Sequence, residues 1–226
     1  KKNQIICLGN GSFGGIDINK FNKEHREQHR QEISAQYNIP ENELWCLYVG
    51  RIVNDKGINE LVRAYLEVSQ KHRFHLVLAG FFEDGLDPID PHIKAEILNN
   101  PCIHFVGFQK DIARFMRSAD FLCLPSYREG FGSVIIESAA CGLPSIGTDI
   151  SGVRDAIVNN QTGLLVPVKD VPALATAMTQ LVTHTAQRVL FGQNAYQRAR
   201  QDFDCLLISK LQAAEYRRLH ALTHPS

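Results

Sequence analysis

The sequence is notable first for the features that it lacks. It contains no run of about 18 apolar residues, which a membrane-spanning helix would need, and its start has no apolar signal-peptide region. Neither sign of charge dominates, because 24 Lys and Arg residues balance 24 Asp and Glu residues, so the composition argues against nucleic acid as a partner. The nine histidines lack metal-ligand spacing and no Asp-x-Asp pair is placed to hold a cation, so we predict no metal site. What remains is a globular chain, 44% hydrophobic, of 226 residues.

The cysteines argue against disulfides and zinc. There are six, widely spaced, and three of them fall inside apolar strand-like runs, which favours buried thiols in a reducing compartment. We therefore predict a cytoplasmic protein. Arg217 and Arg218 are most simply a solvated helix face, with a peripheral contact at the inner face of a membrane as the alternative.

Short apolar runs alternate with helical patterns at least five times along the chain. This alternation predicts an α/β fold with a doubly wound, Rossmann-like parallel sheet. The predicted strands cover residues 44–49, 74–79, 103–106, 119–125, 144–147 and the end of 162–167. We divide the chain into a linker or domain start (1–20), a Rossmann-like domain (21–185) and carboxyl-terminal helices (186–226).

The segment from Arg128 to Glu137 joins a predicted strand to a predicted helix through Gly130-Phe131-Gly132-Ser133. In an open α/β sheet such a turn lies at the carboxyl end of a strand, where the first amides of a helix attract anions. Glu129 and Glu137 are separated by up to about 12 Å along a helix, which is wider than the pair of carboxylates in a retaining hydrolase. The turn therefore predicts a phosphate site, with each carboxylate free to bind a vicinal diol.

Arg51 and Lys56 follow the predicted strand at 44–49, so they open onto the same edge of the sheet as Glu129. Each charge-assisted hydrogen bond to a diphosphate contributes about 1.5 to 3 kcal/mol. Their positive charge would also stabilise a departing nucleoside diphosphate without a metal ion.

These residues, with Asp55-Lys56-Gly57 and Thr162-Gly163-Leu164-Leu165-Val166-Pro167, resemble the donor-binding, carboxyl-terminal half of retaining GT-B glycosyltransferases, the glycosyl transferases group 1 type with an E-x7-E motif. Gly14-Gly15-Ile16-Asp17 resembles the Asn-Gly-Val-Asp segment at the domain link of that family. The resemblance covers most of residues 9–185.

The resemblance implies specific roles for these residues. Arg51 and Lys56 would bind the donor diphosphate and act with Glu129 in catalysis, and Glu137 would bind the ribose. Glu129 with the Phe131 and Gly132 amides would bind the transferred sugar, and Gly130 and Ser133 of the same turn would also contact the donor. Gly107, Phe108 and Ile112 would flank the base, although we expect the Phe108 side chain itself to be a core residue.

By the same resemblance the donor is a nucleotide-sugar, with a UDP-sugar preferred over a GDP- or ADP-sugar and no cofactor. The acceptor would be a saccharide or lipid-linked molecule of polysaccharide or glycolipid assembly, and transfer would be retaining and metal-independent. We expect a preceding acceptor domain of the same protein, without which this segment would be inactive. Two alternatives stay open: a nucleotide-sugar 2-epimerase of the same fold, and a non-enzymatic nucleotide-binding module.

Overall fold

The computed structural model describes residues 14–83, 85 and 87–223, and in these residues the chain forms one parallel sheet of six strands. The strands are Trp45–Val49 (β1), His75–Ala79 (β2), Ile103–Gly107 (β3), Phe121–Leu124 (β4), Ser145–Thr148 (β5) and Gly163–Val166 (β6). Their order across the sheet is β3-β2-β1-β4-β5-β6 and every neighbouring pair is parallel. The prediction of a doubly wound, Rossmann-like sheet is confirmed.

Helices cover both faces of the sheet. They are Arg26–Tyr37 (α1), Ile58–Ser69 (α2), Pro91–Asn99 (α3), Ile112–Ser118 (α4), Ser133–Ala140 (α5), Ser151–Ala156 (α6), Val171–Thr183 (α7), Thr185–Asp202 (α8) and Cys205–Thr223 (α9). On one side α2 packs against α3 and α7; on the other, α1 packs against α4, and α5 against α4 and α8. Because both faces are covered, β2 and β4 are buried along their whole length, which is why these strands read as continuous apolar runs.

The sequence of α1 is strongly polar, yet the helix is not wholly exposed. Its residue Ile33 is 1% exposed and belongs to the core. A single apolar side chain every few turns is a weak periodic signal, so the sequence pattern underestimated how closely this helix packs.

The described part of the predicted linker, residues 14–20, packs against the connection between α8 and α9. The Ile16 amide donates to Phe203 O (2.7 Å), and the Cys205 amide donates to Ile16 O (2.9 Å). Gly15 has φ +68°, and a Cβ there would lie 2.6 Å from Phe203 O, so this position of the Gly14 to Asp17 segment requires glycine. Residues 9–13, where the family resemblance begins, lie outside the described residues.

Candidate functional site

The turn between β4 and α5 forms as the sequence predicts. Gly132 immediately precedes α5 with φ +46°, a left-handed conformation that glycine adopts without strain. The next residue, Ser133, starts the helix. The first amides of a helix have no partner within the helix, and its dipole is positive at this end. The start of α5 therefore presents an anion-binding end to the carboxyl edge of the sheet.

A cavity of about 250 Å³ lies at this edge and joins the turn to β1. Its lining includes Gly50, Lys56 and Glu129, and the segment from Phe131 to Val134. Lys56 Nζ lies 2.6 Å from Glu129 Oε1, and their side chains are 18% and 17% exposed. The structure thus brings a predicted phosphate ligand and a predicted sugar ligand into direct contact.

A second cavity, of about 300 Å³, adjoins the first, since Val49 and Gly50 line both. Its walls are mainly apolar and include Phe81, Phe108 and Ile112, with Arg51 at its side. An apolar cavity with aromatic rings, beside a cavity that contains a cation, is the arrangement that a base joined to a diphosphate requires.

The prediction that Phe108 is a core residue is wrong. Its side chain is 70% exposed. Gly107 ends β3 with φ +69°, and the pairing of β2 with β3 shifts register just before it, so the chain turns out of the sheet and the next ring projects over the edge. Phe131 is partly buried, and its ring centre lies 5.7 Å from that of Phe203.

Arg51 does not share a cavity wall with Lys56. Its guanidinium Nη1 lies 2.6 Å from Glu83 Oε2, and both side chains are more than one-third exposed, at 46% and 38%. The Glu83 carboxylate raises the pKa of Arg51 through this hydrogen bond and its charge. Glu83 was not expected at the site, because its place in a polar loop 32 residues away gives no sequence signal.

Glu137 lies in the second turn of α5 and lines neither cavity. Burial raises the pKa of its carboxyl group, and the charge of Lys20 opposes this shift. Among the described residues no hydrogen-bond donor approaches this carboxylate. Gly107 and Gly130, two further predicted ligands, also lie outside both cavity walls.

Several residues that the sequence did not single out hold the site in shape. Tyr48 is fully buried, and its hydroxyl donates to Arg51 O (2.6 Å), which fixes the turn after β1. Burial raises the pKa of this hydroxyl, so it stays a donor. A Cβ on Gly152 would lie 2.6 Å from Glu129 O and Gly130 O, so α6 can approach the turn only because residue 152 is glycine.

Two classes of feature are missing from the part of the chain that the structure describes. No group of three or more His, Cys, Asp or Glu side chains is placed to hold a metal ion. No described helix is long and apolar enough to cross a membrane.

Comparison with known proteins decides the family. Residues 29–198 match the family model of glycosyl transferases group 1. The chain belongs to this family. The matched range contains all the residues that line the two cavities, including Arg51, Lys56 and Glu129, and it also contains Glu137.

One relative of this chain is CapM of Staphylococcus aureus, a capsular polysaccharide biosynthesis glycosyltransferase. CapM is 31% identical over 92% of this chain and 54% of its own length. Among solved structures, sucrose-phosphate synthase of Thermosynechococcus elongatus superimposes with a TM-score of 0.76 at 29% identity, over 92% of this chain and 52% of the other.

Anabaena HepE, solved in complex with UDP and glucose, superimposes with a TM-score of 0.78 at 23% identity, over 90% of this chain and 55% of the other. This likeness shows the fold. The chain spans about half the length of the relatives that it matches, and its fold is the carboxyl-terminal half of a GT-B glycosyltransferase.

Proposed function

We propose that this chain is the donor-binding half of a retaining glycosyltransferase that transfers a sugar from a nucleoside diphosphate. One observation carries the proposal: two adjoining cavities at the carboxyl edge of the sheet, one containing Lys56 and Glu129 and the other mainly apolar, meet at Val49 and Gly50. A base in the apolar cavity and a diphosphate at the start of α5 would place the sugar beside Glu129.

In this arrangement Phe108 and Phe81 contribute exposed ring surface to the base. They are 70% and 48% exposed, and a stacked base would remove much of that apolar area from water. This exposed ring surface supports a nucleotide, and not inorganic diphosphate, as the ligand. It does not select a base, since any base has a flat face, and a UDP-sugar stays our first choice with GDP- and ADP-sugars as alternatives.

Lys56 and Arg51 would bind the diphosphate and stabilise the negative charge that develops on it as the sugar departs. These cations can supply the charge stabilisation that a metal ion supplies elsewhere, which supports a metal-independent reaction. Retention would follow a front-face course, in which the leaving phosphate helps to deprotonate the acceptor hydroxyl; the family resemblance alone supports this step.

A saccharide or lipid-linked acceptor would bind in a preceding domain of the same protein. That domain would also carry part of the catalytic apparatus. The exposed apolar residues of α9 support such a neighbour, since Leu206, Leu211 and Tyr216 are 63%, 40% and 74% exposed. The capsular function of CapM supports a role in polysaccharide assembly. We expect the isolated chain to bind donor and to transfer no sugar.

The proposal is tested by titration calorimetry of the 226-residue chain with UDP, GDP, ADP and their sugars. We expect one nucleotide to bind, with Kd in the range of about micromolar to millimolar, and Arg51→Ala and Lys56→Ala to weaken it by about tenfold or more each. Arg114→Ala is the matched control, because Arg114 also makes an exposed ion pair of 2.6 Å, with Glu32, away from the site. If no nucleoside diphosphate binds at about millimolar concentration, the proposal fails.

The two glutamates can be separated by the same titrations. Glu129→Gln removes the carboxylate that now holds Lys56, so UDP should bind at least as well as before, while the gain from an attached sugar is lost. Glu137→Gln should weaken UDP and UDP-sugar alike. Equal losses of both ligands in the two variants would refute this division of roles.

A further inference from the structure

A third cavity, of about 320 Å³, lies at the opposite edge of the sheet from the proposed donor site. Asp120, which precedes β4, and Pro144, which precedes β5, both line it. The amino ends of parallel strands meet at one edge, so this cavity is separated from the carboxyl edge by the length of the strands. Lys23, Arg26 and Arg188 also line it.

The charges around this cavity do not balance. Asp120 is its one lining carboxylate, and it is already paired with Arg26 (2.9 Å) and Arg30 (3.1 Å). It also accepts the Trp45 amide at 2.8 Å. In the described part of the chain, neither Lys23 nor Arg188 has a carboxylate within 4.0 Å, so the cavity carries uncompensated positive charge.

Lys23 is positioned for an acceptor that the protein itself does not supply. Its ammonium lies 4.0 Å from the centre of the Tyr196 ring, and its stem crosses Gly142 so closely that a Cβ there would overlap it. No described oxygen lies within hydrogen-bond distance of Lys23 Nζ, which leaves three N–H groups to donate. The stem is therefore held while the charged end faces the cavity.

The two arginines are held by backbone carbonyls at helix ends. Arg26 donates to Arg117 O and Ala119 O, both at 2.7 Å, and Arg188 donates to Leu181 O at the end of α7. Nη1 of each arginine donates these bonds, and Nη2 donates to Asp120 Oδ1 in Arg26 and to Thr185 Oγ1 in Arg188. In each guanidinium group, Nε–H is the donor that has no acceptor among the described residues.

Burial lowers the pKa of all three cations. The Asp120 carboxylate opposes this shift at Arg26 and Arg188, whereas repulsion adds to it, since Arg26 lowers the pKa of Lys23, and Arg30 and Arg188 lower that of Arg26. Such crowding of like charge is unfavourable. An anion in the cavity would relieve it.

We propose that this cavity binds a small phosphate-bearing anion, a phosphate monoester or a diphosphate. A phosphate group offers three acceptor oxygens and a charge of about −1.5 to −2, which suits three converging cations better than a carboxylate does. The volume equals about ten water molecules, enough for one or two phosphate groups and too small for a nucleotide-sugar. The site is independent of the proposed donor site.

The test uses inorganic pyrophosphate and phosphate, titrated into the 226-residue chain that carries Arg51→Ala and Lys56→Ala, so that the donor site does not contribute. We expect saturable binding that Lys23→Gln and Arg188→Gln each weaken by about tenfold. Arg200→Gln is the matched control, because Arg200 lies 5.5 Å from the same Tyr196 ring and does not line the cavity. Thermal melting of each variant confirms that it is folded.

A second measurement needs no substitution at the cavity. Pyrophosphate should slow acetylation of the Lys23 amine by at least about tenfold while leaving the exposed Lys71 unchanged. Phosphatidylcholine vesicles with and without phosphatidic acid identify the source of the phosphate: Lys23-dependent sedimentation with phosphatidic acid supports a headgroup, and its absence alongside pyrophosphate binding supports a free anion. Absence of binding to either, or binding that survives both Lys23→Gln and Arg188→Gln, overturns the proposal.

Discussion

Replacing Lys56 by methionine removes the ammonium group that lies 2.6 Å from the Glu129 carboxylate. At an effective dielectric constant of about 20, two unit charges at this distance attract by roughly 6 kcal/mol, and the desolvation of both groups offsets much of that gain. With the two side chains 18% and 17% exposed, the pair lies between an exposed ion pair, worth about 0.2 to 1 kcal/mol, and a buried pair, whose disruption costs about 3 to 5 kcal/mol.

We therefore expect Lys56→Met to lower the free energy of unfolding by about 2 kcal/mol, chiefly because Glu129 is left without its partner. Glu129→Gln should also destabilise the chain. The double variant should lose less than the two single losses together, with a coupling energy of about 1 to 2 kcal/mol, because it leaves no charge unpaired.

Urea denaturation followed by circular dichroism at pH 7 measures these free energies, provided that the slope with urea is the same in all four proteins. The control is Arg114→Met with Glu32→Gln, an ion pair of equal length between α1 and α4 that is 32% and 44% exposed. Its coupling should be under about 1 kcal/mol. If the Lys56 and Glu129 losses add within about 0.3 kcal/mol, the ion pair does not hold the site together.

Three further outcomes are expected. Gly80→Ala would place a Cβ against Gly50 O, so it should cost at least about 2 kcal/mol of unfolding free energy in the same urea assay, whereas Gly85→Ala, which meets no atom within 4 Å, should be neutral. Glu137→Gln should raise the melting temperature while weakening UDP, because burial already raises the pKa of this carboxyl group and so disfavours its charged form. For His104, burial lowers the pKa to about 4, below its unfolded value of about 6.5, so the unfolded chain gains a proton first and stability falls as the pH drops from about 6.5 to about 4. After allowance for solvent screening this loss is about 1 to 2 kcal/mol. His104→Gln should reduce the slope of stability against pH in that window, and an unchanged slope would contradict the assignment.

The sequence predicted the sheet well because five of the six strands are short, largely apolar and closed by glycine or proline, β5 being the exception. The β4 to α5 turn was predicted for the same reason, since glycine adopts the φ of +46° at residue 132 without strain. The direction of the Phe108 ring was not predictable, because it depends on the local turn at Gly107 and on a register shift between two strands. The ion pair between Arg51 and Glu83 was not predictable either, because the fold brings the two residues together and no spacing along the chain indicates it.

Both cations of the proposed donor site are already held by carboxylates, Arg51 by Glu83 and Lys56 by Glu129. A diphosphate must therefore replace a carboxylate at each cation. The free energy gained at each cation is the difference between its hydrogen bond to the phosphate and its hydrogen bond to the carboxylate. This difference is smaller than the roughly 1.5 to 3 kcal/mol that one charged hydrogen bond contributes on its own. The exchange differs at the two positions. Glu83, which is 38% exposed, returns to water at small cost, whereas the less exposed Glu129 needs new donors when Lys56 turns to the phosphate. Hydroxyl groups of the transferred sugar would be such donors, so the sugar, and not the nucleotide alone, would complete the exchange at Lys56.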